Sequence, residues 1–401
     1  MTAGNLPSER SDISPRQLFG AAAVAMFVFG MLIALLGTLF GLPEMRSRLG
    51  VDLARQGDLF SILFAGLLAV TPVAGPAIDR YGSKLVLVSA SAMVTAALLL
   101  FALAGGFPAA AVAAALLGMG GGWLNTATNA LVSDVFPDDR GRMLNLLGIF
   151  FGVGALFVPL VVAIGFGVLS IMGTMIVCAV VAAVSTVACL VPRFPPPHEG
   201  GTFSFAGVLR AARDPGVLLF AVLLFFQAGN EASLSGWTST YIGSVGWSPR
   251  TATVILLGYW VMAIAGRALS ARVQARIGKE RLVLLSSLLA IAGCLVLLAT
   301  ARWLGLLAAG AWLTALGFSA IFPTTLAIVG DRSHRFAGTV FGLLFSVGNV
   351  GSIGFPWAVG HLSQAAGVRS GMLVPLAGTV AVAACAVLVS REHTRADAPL
   401  G

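Results

Sequence analysis

Apolar residues run in long blocks along this chain, broken by short polar stretches. With a window of about 20 residues, the length needed to cross a bilayer as a helix, the blocks fall near 17–42, 57–77, 85–107, 109–133, 143–165, 168–191, 217–243, 251–271, 282–300, 304–330, 338–362 and 370–390. We number them spans 1 to 12. Blocks of this length, rich in Leu, Ala, Val and Gly, predict helices, because a membrane barrel would show segments of roughly 10 residues with alternating polarity. The first 16 residues are polar and the first apolar block exceeds 20 residues, so a spanning helix is expected there rather than a cleaved leader.

Composition agrees: of 401 residues 58% are hydrophobic and 10% charged, and the mean hydropathy is +0.96. That leaves too little polar material to cover a soluble globule of this size. The net charge of +8 is explained by topology. If both termini are cytoplasmic, every Lys and Arg falls on the inner side except Arg46, Arg48, Arg55, Arg250, Arg302 and Arg369, a strong positive-inside bias. No basic, aromatic-laced patch points to nucleic acid. The expected location is the inner (plasma) membrane, multi-pass, with a small-molecule substrate and the bilayer as partners.

The chain also repeats itself. A shift of 197 residues lays Ala130-Leu-Val-Ser-Asp134 over Ala327-Ile-Val-Gly-Asp331, and Gly154 and Pro159 over Gly351 and Pro356; an offset of 196 aligns Gly82 with Gly278. Six spans followed by six in the same orientation form a parallel repeat. The expected division is an N-terminal bundle over 1–191, a cytoplasmic linker over 192–216 containing Pro195-Pro196-Pro197, and a C-terminal bundle over 217–401.

Glu231 is the acidic residue that lies deep inside an apolar block, in Gln227-Ala-Gly-Asn230-Glu231-Ala-Ser-Leu-Ser-Gly-Trp237 of span 7. A carboxylate at membrane depth costs a few kcal/mol and is usually found on a transport path. Amides accompany it: Gln227 shares its face of span 7 at i, i+4, Asn125 and Asn129 share a face of span 4, and Asn349 lies midway along span 11. With Asn230 and the aromatic residues Trp237, Tyr259 and Trp312, these are the candidate substrate-binding residues, since amides both donate and accept and an aromatic face covers the apolar side of a sugar ring. The competing reading is that the amides tie helices together, which interhelical hydrogen bonds commonly do. Trp123, Trp303 and Trp357 are expected as interfacial anchors. The four cysteines, Cys178, Cys189, Cys294 and Cys385, fall in spans 6, 9 and 12, where each behaves as a small apolar residue. No metal or cofactor is implied, and there is no phosphate-cradling loop, nucleophile elbow or soluble domain to support an enzyme.

Gly75-Pro-Ala-Ile-Asp79-Arg80-Tyr-Gly82-Ser-Lys84 resembles the signature loop between spans 2 and 3 of the major facilitator superfamily, and the degenerate Ala271-Arg-Val-Gln-Ala275-Arg276-Ile-Gly278-Lys279 sits between spans 8 and 9 as that family would have it. Gly229-Asn-Glu231, Gly258-Tyr-Trp260 with Gly266-Arg267, Asn129-Ala-Leu and Leu144-Asn145-Leu are similar to its fucose permease and sugar symporter branch. The resemblance implies an all-α protein of twelve membrane helices in two parallel six-helix repeats, with spans 1, 4, 7 and 10 around a central path and 3, 6, 9 and 12 outside. It also implies a cytoplasmic gate of Asp79, Arg80, Gly82 and Arg142 against the start of span 11 near Gly338, matched in the second half by Asp331 with Arg267 or Arg276.

The implied function is secondary transport of a small polar substrate, foremost a sugar, by alternating access, with Glu231 as carrier of a coupled proton. Members of the branch often carry a carboxylate at the position of Asn125, and span 1 is apolar here apart from Thr38, so a Na⁺-coupled carrier and a facilitative uniporter stay open beside the H⁺ symporter. So do drug or metabolite efflux by antiport and, outside transport, a membrane receptor or scaffold. A monomer is expected. His198, His334 and His393 are placed in the cytoplasm and His361 at an outer end, so no histidine relay is expected.

Overall fold

A computed structural model describes residues 14–196, 213–332 and 337–396. The expected linker lies largely outside the described residues, as do the loop basic residues Arg10, Arg210 and Arg335, and His198 and His334. The elements are α1 Pro15–Leu39, α2 Pro43–Leu49, α3 Leu53–Leu103, α4 Phe107–Val135, α5 Arg140–Ile164, α6 Ile171–Leu190, α7 Pro215–Ser244, α8 Pro249–Ile277, α9 Lys279–Ala299, α10 Leu304–Arg332, α11 Ala337–Ala366, α12 Val368–Gly371 and α13 Leu373–Ala396. Helix α1 is span 1, α3 contains spans 2 and 3, α4 to α11 are the spans of the same number, and α13 is span 12. Among the described residues eleven segments are long and apolar enough to cross a membrane, and one of them, the 51-residue α3, is long enough to cross twice.

The starts of these helices are written locally. Proline opens α1, α4, α7 and α8 where its missing N–H is not needed. Asp52, Ser170, Asp214 and Ser248 each accept a hydrogen bond from a free backbone N–H in the first turn that follows.

The repeat expected from sequence has a backbone counterpart. Gly82 breaks α3 with φ 79° and ψ 153°, and Gly278 joins α8 to α9 with φ 85° and ψ 163°. Both sit in a region that L side chains rarely occupy, so one residue turns the chain at both places and no longer loop is needed. Gly82→Ala should therefore cost about 1–3 kcal/mol, whereas Gly75→Ala, where a Cβ meets open space, should cost nothing measurable. Thermal unfolding of the two purified variants checks this, and equal melting temperatures would count against the strain.

Close helix crossings repeat as well. A Cβ at Gly154 would lie 1.9 Å from the carbonyl oxygen of Phe27, and one at Gly351 would lie 1.9 Å from that of Phe225. Thus α5 crosses α1 as α11 crosses α7, with backbones touching where a side chain would keep them apart. Within its apolar window α1 is 72% buried and α7 and α10 are 61% buried, against 33% for α6. Ile176, Val180, Val184 and Val187 form an exposed apolar stripe on α6, and Leu285, Leu288 and Leu295 form another on α9. Helices α1, α7 and α10 are thus the most buried, in line with the central place that the resemblance implies for spans 1, 7 and 10, whereas α4 and α9 are alike at 50%. The four cysteines are buried and free.

The two halves meet tightly at the end opposite the termini. Gly37 of α1 and Gly41 in the turn after it lie on α7, where Cβ atoms would come within 2.2 Å of the Ser235 carbonyl oxygen and 2.5 Å of the Ser239 Cβ. The spacing is Gly-xxx-Gly against Ser-xxx-Ser, which lets two backbones approach. Gln56 Nε2 donates to Thr240 Oγ1 at 3.0 Å, Ser61 Oγ to the Ile353 carbonyl at 2.7 Å and the Leu53 amide to Gln364 Oε1 at 3.1 Å. Asp58 and His361 approach to 3.8 Å.

Candidate functional site

A cavity of about 120 Å³ lies between the halves, on the terminus side of this seam. Its wall from the first half is apolar: Ile33 of α1, Phe64 of α3 and Phe151 of α5. Its polar wall comes from the second half: Glu231 and Ser235 of α7, Tyr259, Trp260 and Arg267 of α8, Ser319 of α10 and Ser352 of α11. Helical spacing explains the set, since Ala228, Glu231, Ala232 and Ser235 share one stripe of α7, and Tyr259, Ala263 and Arg267 one stripe of α8.

Glu231 is held in place by its neighbour one turn back. Gln227 Nε2 donates to Glu231 Oε1 at 2.9 Å and to the Phe318 carbonyl at 3.3 Å, which ties α7 to α10. Arg267 is near enough to act electrostatically on Glu231 and on Tyr259, yet no ion pair joins it to either among the described residues. Its guanidinium carbon instead lies over the ring of Phe151, 5.4 Å from the ring centroid, across the boundary between halves. The placement differs from the sequence expectation, which had Arg267 among the basic residues of the cytoplasmic side. It lies 10 residues before the end of α8, roughly 15 Å along the helix, and lines the cavity.

The remaining candidates are distributed as follows. Asn125 and Asn129 are half-buried on α4 and bonded within their own helix, with Asn129 Nδ2 donating to the Asn125 carbonyl at 2.8 Å and to its Oδ1 at 3.1 Å. Asn230 is fully buried but points away from the cavity, toward Gly378 of α13, and neither of its side-chain polar atoms has a partner. Trp237 is also fully buried, with its ring 6.0 Å from Phe60 in the seam. Trp312 packs under Gly258 and donates to the Ile255 carbonyl at 3.0 Å, so it binds α10 to α8. Asn349 is half-buried on α11. The cavity thus brings together Glu231 and Tyr259 from the sequence list and adds Arg267, Trp260, Ser235, Ser319 and Ser352.

Among the described residues, those expected to form a gate at the terminus end are not paired with one another in the expected way. Asp79 is half-buried and makes no hydrogen bond or ion pair among the described residues. Arg80 stacks on its neighbour Tyr81 at 5.3 Å. Arg142 is 83% exposed and pairs with Asp139 at 3.4 Å, one turn away. Asp331 bonds Lys279 at the start of α9, not Arg267 or Arg276.

A sequence model of the Major Facilitator Superfamily matches residues 22–301 and 220–400. An uncharacterized MFS-type transporter of Yersinia pestis is 24% identical over 391 residues, covering 95% of this chain and 97% of that protein. Among solved structures, the nucleoside transporter NupG superposes with a TM-score of 0.80 at 15% identity, covering 93% of this chain and 99% of that one. A D-xylose-proton symporter gives 0.77 at 13% identity, with 92% and 97% covered. A bacterial homologue of the human lysosomal transporter Spinster, in an inward-facing and unoccupied conformation, gives 0.72 at 18% identity, with 96% and 98% covered. The family model spans nearly the whole chain, twelve helices stand in two alike sets, and the relatives are membrane transporters rather than enzymes; the chain belongs to the Major Facilitator Superfamily.

Proposed function

We propose that this protein is a secondary transporter that carries a small polyhydroxylated solute of sugar-like size by alternating access, with Glu231 taking the coupled proton. The observation that carries this reading is a carboxylate in a cavity between the two halves, at membrane depth, supported by Gln227 and faced by Tyr259 and Trp260. An ionisable group so placed is expensive to keep and marks a path for solute or ion. The aromatic residues suit the apolar face of a ring. Ser235, Ser319 and Ser352 each donate to a carbonyl of their own helix, which leaves oxygen lone pairs to accept from solute hydroxyls. Two fold neighbours, a nucleoside transporter and a D-xylose-proton symporter, handle hydroxyl-rich ring compounds.

With the termini cytoplasmic, as the positive-inside bias favours, the seam of Gly37 and Gly41 closes the outer side and the cavity belongs to an inward-facing state. The lack of a bond between Asp79 and Arg142 among the described residues suits the open form of the cytoplasmic latch. The division into bundles at 1–191 and 217–401 supplies the two bodies that rock about the cavity. Counterflow in proteoliposomes with a panel of sugars, repeated under pH and Na⁺ gradients, tests the proposal. Accumulation driven by an inward proton gradient is the expected result. Response to Na⁺ alone would assign the ion differently, flux indifferent to both gradients would leave a uniporter, and no flux of any hydroxylated solute would sink the reading.

A further inference from the structure

We infer that the transported solute carries a carboxylate that Arg267 binds, so that the cavity is built for a hydroxylated monocarboxylate rather than a neutral sugar; this rests on the transport reading of the same site. Among the described residues the Arg267 guanidinium takes part in no hydrogen bond and no ion pair, although it lines the cavity at membrane depth. The ring of Phe151 lies beneath its central carbon, 5.4 Å away at the centroid. A planar fork of donors with no partner of its own takes a carboxylate through two parallel hydrogen bonds. Glu231 does not use that fork: no ion pair joins the two among the described residues, and its Oε1 accepts from Gln227 Nε2 at 2.9 Å.

The lining fits the same class. A cavity of about 120 Å³ is a little smaller than one of about 150 Å³ that holds a benzene ring, so it receives the carboxylate end of a solute and the carbons next to it. With the carboxylate on Arg267, solute hydroxyls would reach Ser235, Ser319 and Ser352, and Phe64 and Phe151 would cover its carbon side. Charge also gives the solute a reason to bring a proton. An anion entering beside Glu231 puts two carboxylates into one small space, and like charges so close are tolerated when one of them is protonated. The groups facing Glu231 are Gln227 on its own helix and Arg267 and Tyr259 from α8. The lining residues of α1, α3, α5, α10 and α11 carry no ionisable group.

The test measures stabilisation of the purified full chain against heat by D-gluconate and D-glucuronate beside D-sorbitol and D-glucose, with propionate as the smallest carboxylate probe. The acids should stabilise at lower concentration than their neutral counterparts. In Arg267→Gln their affinity should fall roughly 10- to 100-fold, the loss expected for hydrogen bonds to a charged partner, and by more than that of any neutral solute. Arg267→Lys, which keeps a point charge and loses the fork, should fall between the two and decides the matter if the glutamine variant does not fold. Neutral solutes binding as well as acids, acids binding Arg267→Gln as they bind the parent, or no acid stabilising the parent at any concentration would each overturn the inference. If neutral sugars nevertheless show counterflow, the transport reading stands and only the charge assignment falls.

Discussion

Gly37→Leu should force the two halves apart at the end opposite the termini and nearly stop transport, while leaving each half folded. A Cβ at Gly37 would already stand 2.2 Å from the Ser235 carbonyl oxygen and 2.9 Å from the Gly236 Cα, and backbone atoms cannot rotate aside as a side chain can. Overpacking of this kind costs about 3 kcal/mol or more, which corresponds to a change of roughly a hundredfold in a two-state equilibrium. The strain exists only in the conformation described here, so the protein can escape it by opening the seam. Gly154→Leu is the contrasting case, because its clash with the Phe27 carbonyl lies inside the first half and should lower the melting temperature directly. A cysteine replacing the buried Thr240 reports the difference. The native cysteines are buried, and an impermeant maleimide should label Thr240→Cys slowly in the parent background and many times faster with Gly37→Leu. Equal labelling rates would show that the seam is not a moving contact.

Glu231→Gln should separate coupling from movement. The amide keeps the shape of the protonated carboxyl and can still meet Gln227, which lies 2.9 Å away, but it cannot release or take up a proton. Exchange of solute across the membrane, which needs no net proton transfer, should survive at a rate within a few-fold of the parent. Accumulation driven by a pH gradient should disappear. Reconstituted vesicles loaded with labelled solute read both quantities in one preparation. If exchange and accumulation fall together, the side chain holds the solute and carries no proton; if accumulation persists, the coupled proton is carried elsewhere.

Block length and positive-inside asymmetry made the twelve helices legible, and Gly82 and Gly278 marked the duplicated turn because few residues but glycine take that backbone. Glu231 was legible for a similar reason, a charge where charge is costly. Rotation about each helix axis was not. Asn230 is the next residue in the chain, yet a step of about 100° carries it to the side facing α13. Asn125 and Asn129 follow the spacing of a shared face, but their amides are partly spent on each other. Arg267 was hidden by its type. Counted with the loop arginines it strengthens the topology argument, and its distance from Gly278 was the signal that it belongs inside. The stripe of Tyr259, Ala263 and Arg267 at intervals of four held the same information.

The two ends of the path are fastened by different forces, and ionic strength tells them apart. At the seam the contacts are glycine against backbone, amides to a hydroxyl or a main-chain amide, and Phe60 beside Trp237, with His361 and Asp58 as the ionisable pair. At the terminus end the proposed cycle closes by bringing Asp79, Arg80, Arg142 and their charged neighbours together near water. Mobile ions screen exposed charges within about 10 Å at 0.1 M salt and hardly touch neutral packing. Concentrated electrolyte therefore weakens one lock and spares the other, tilting the population toward the conformation in which the glycine seam is shut.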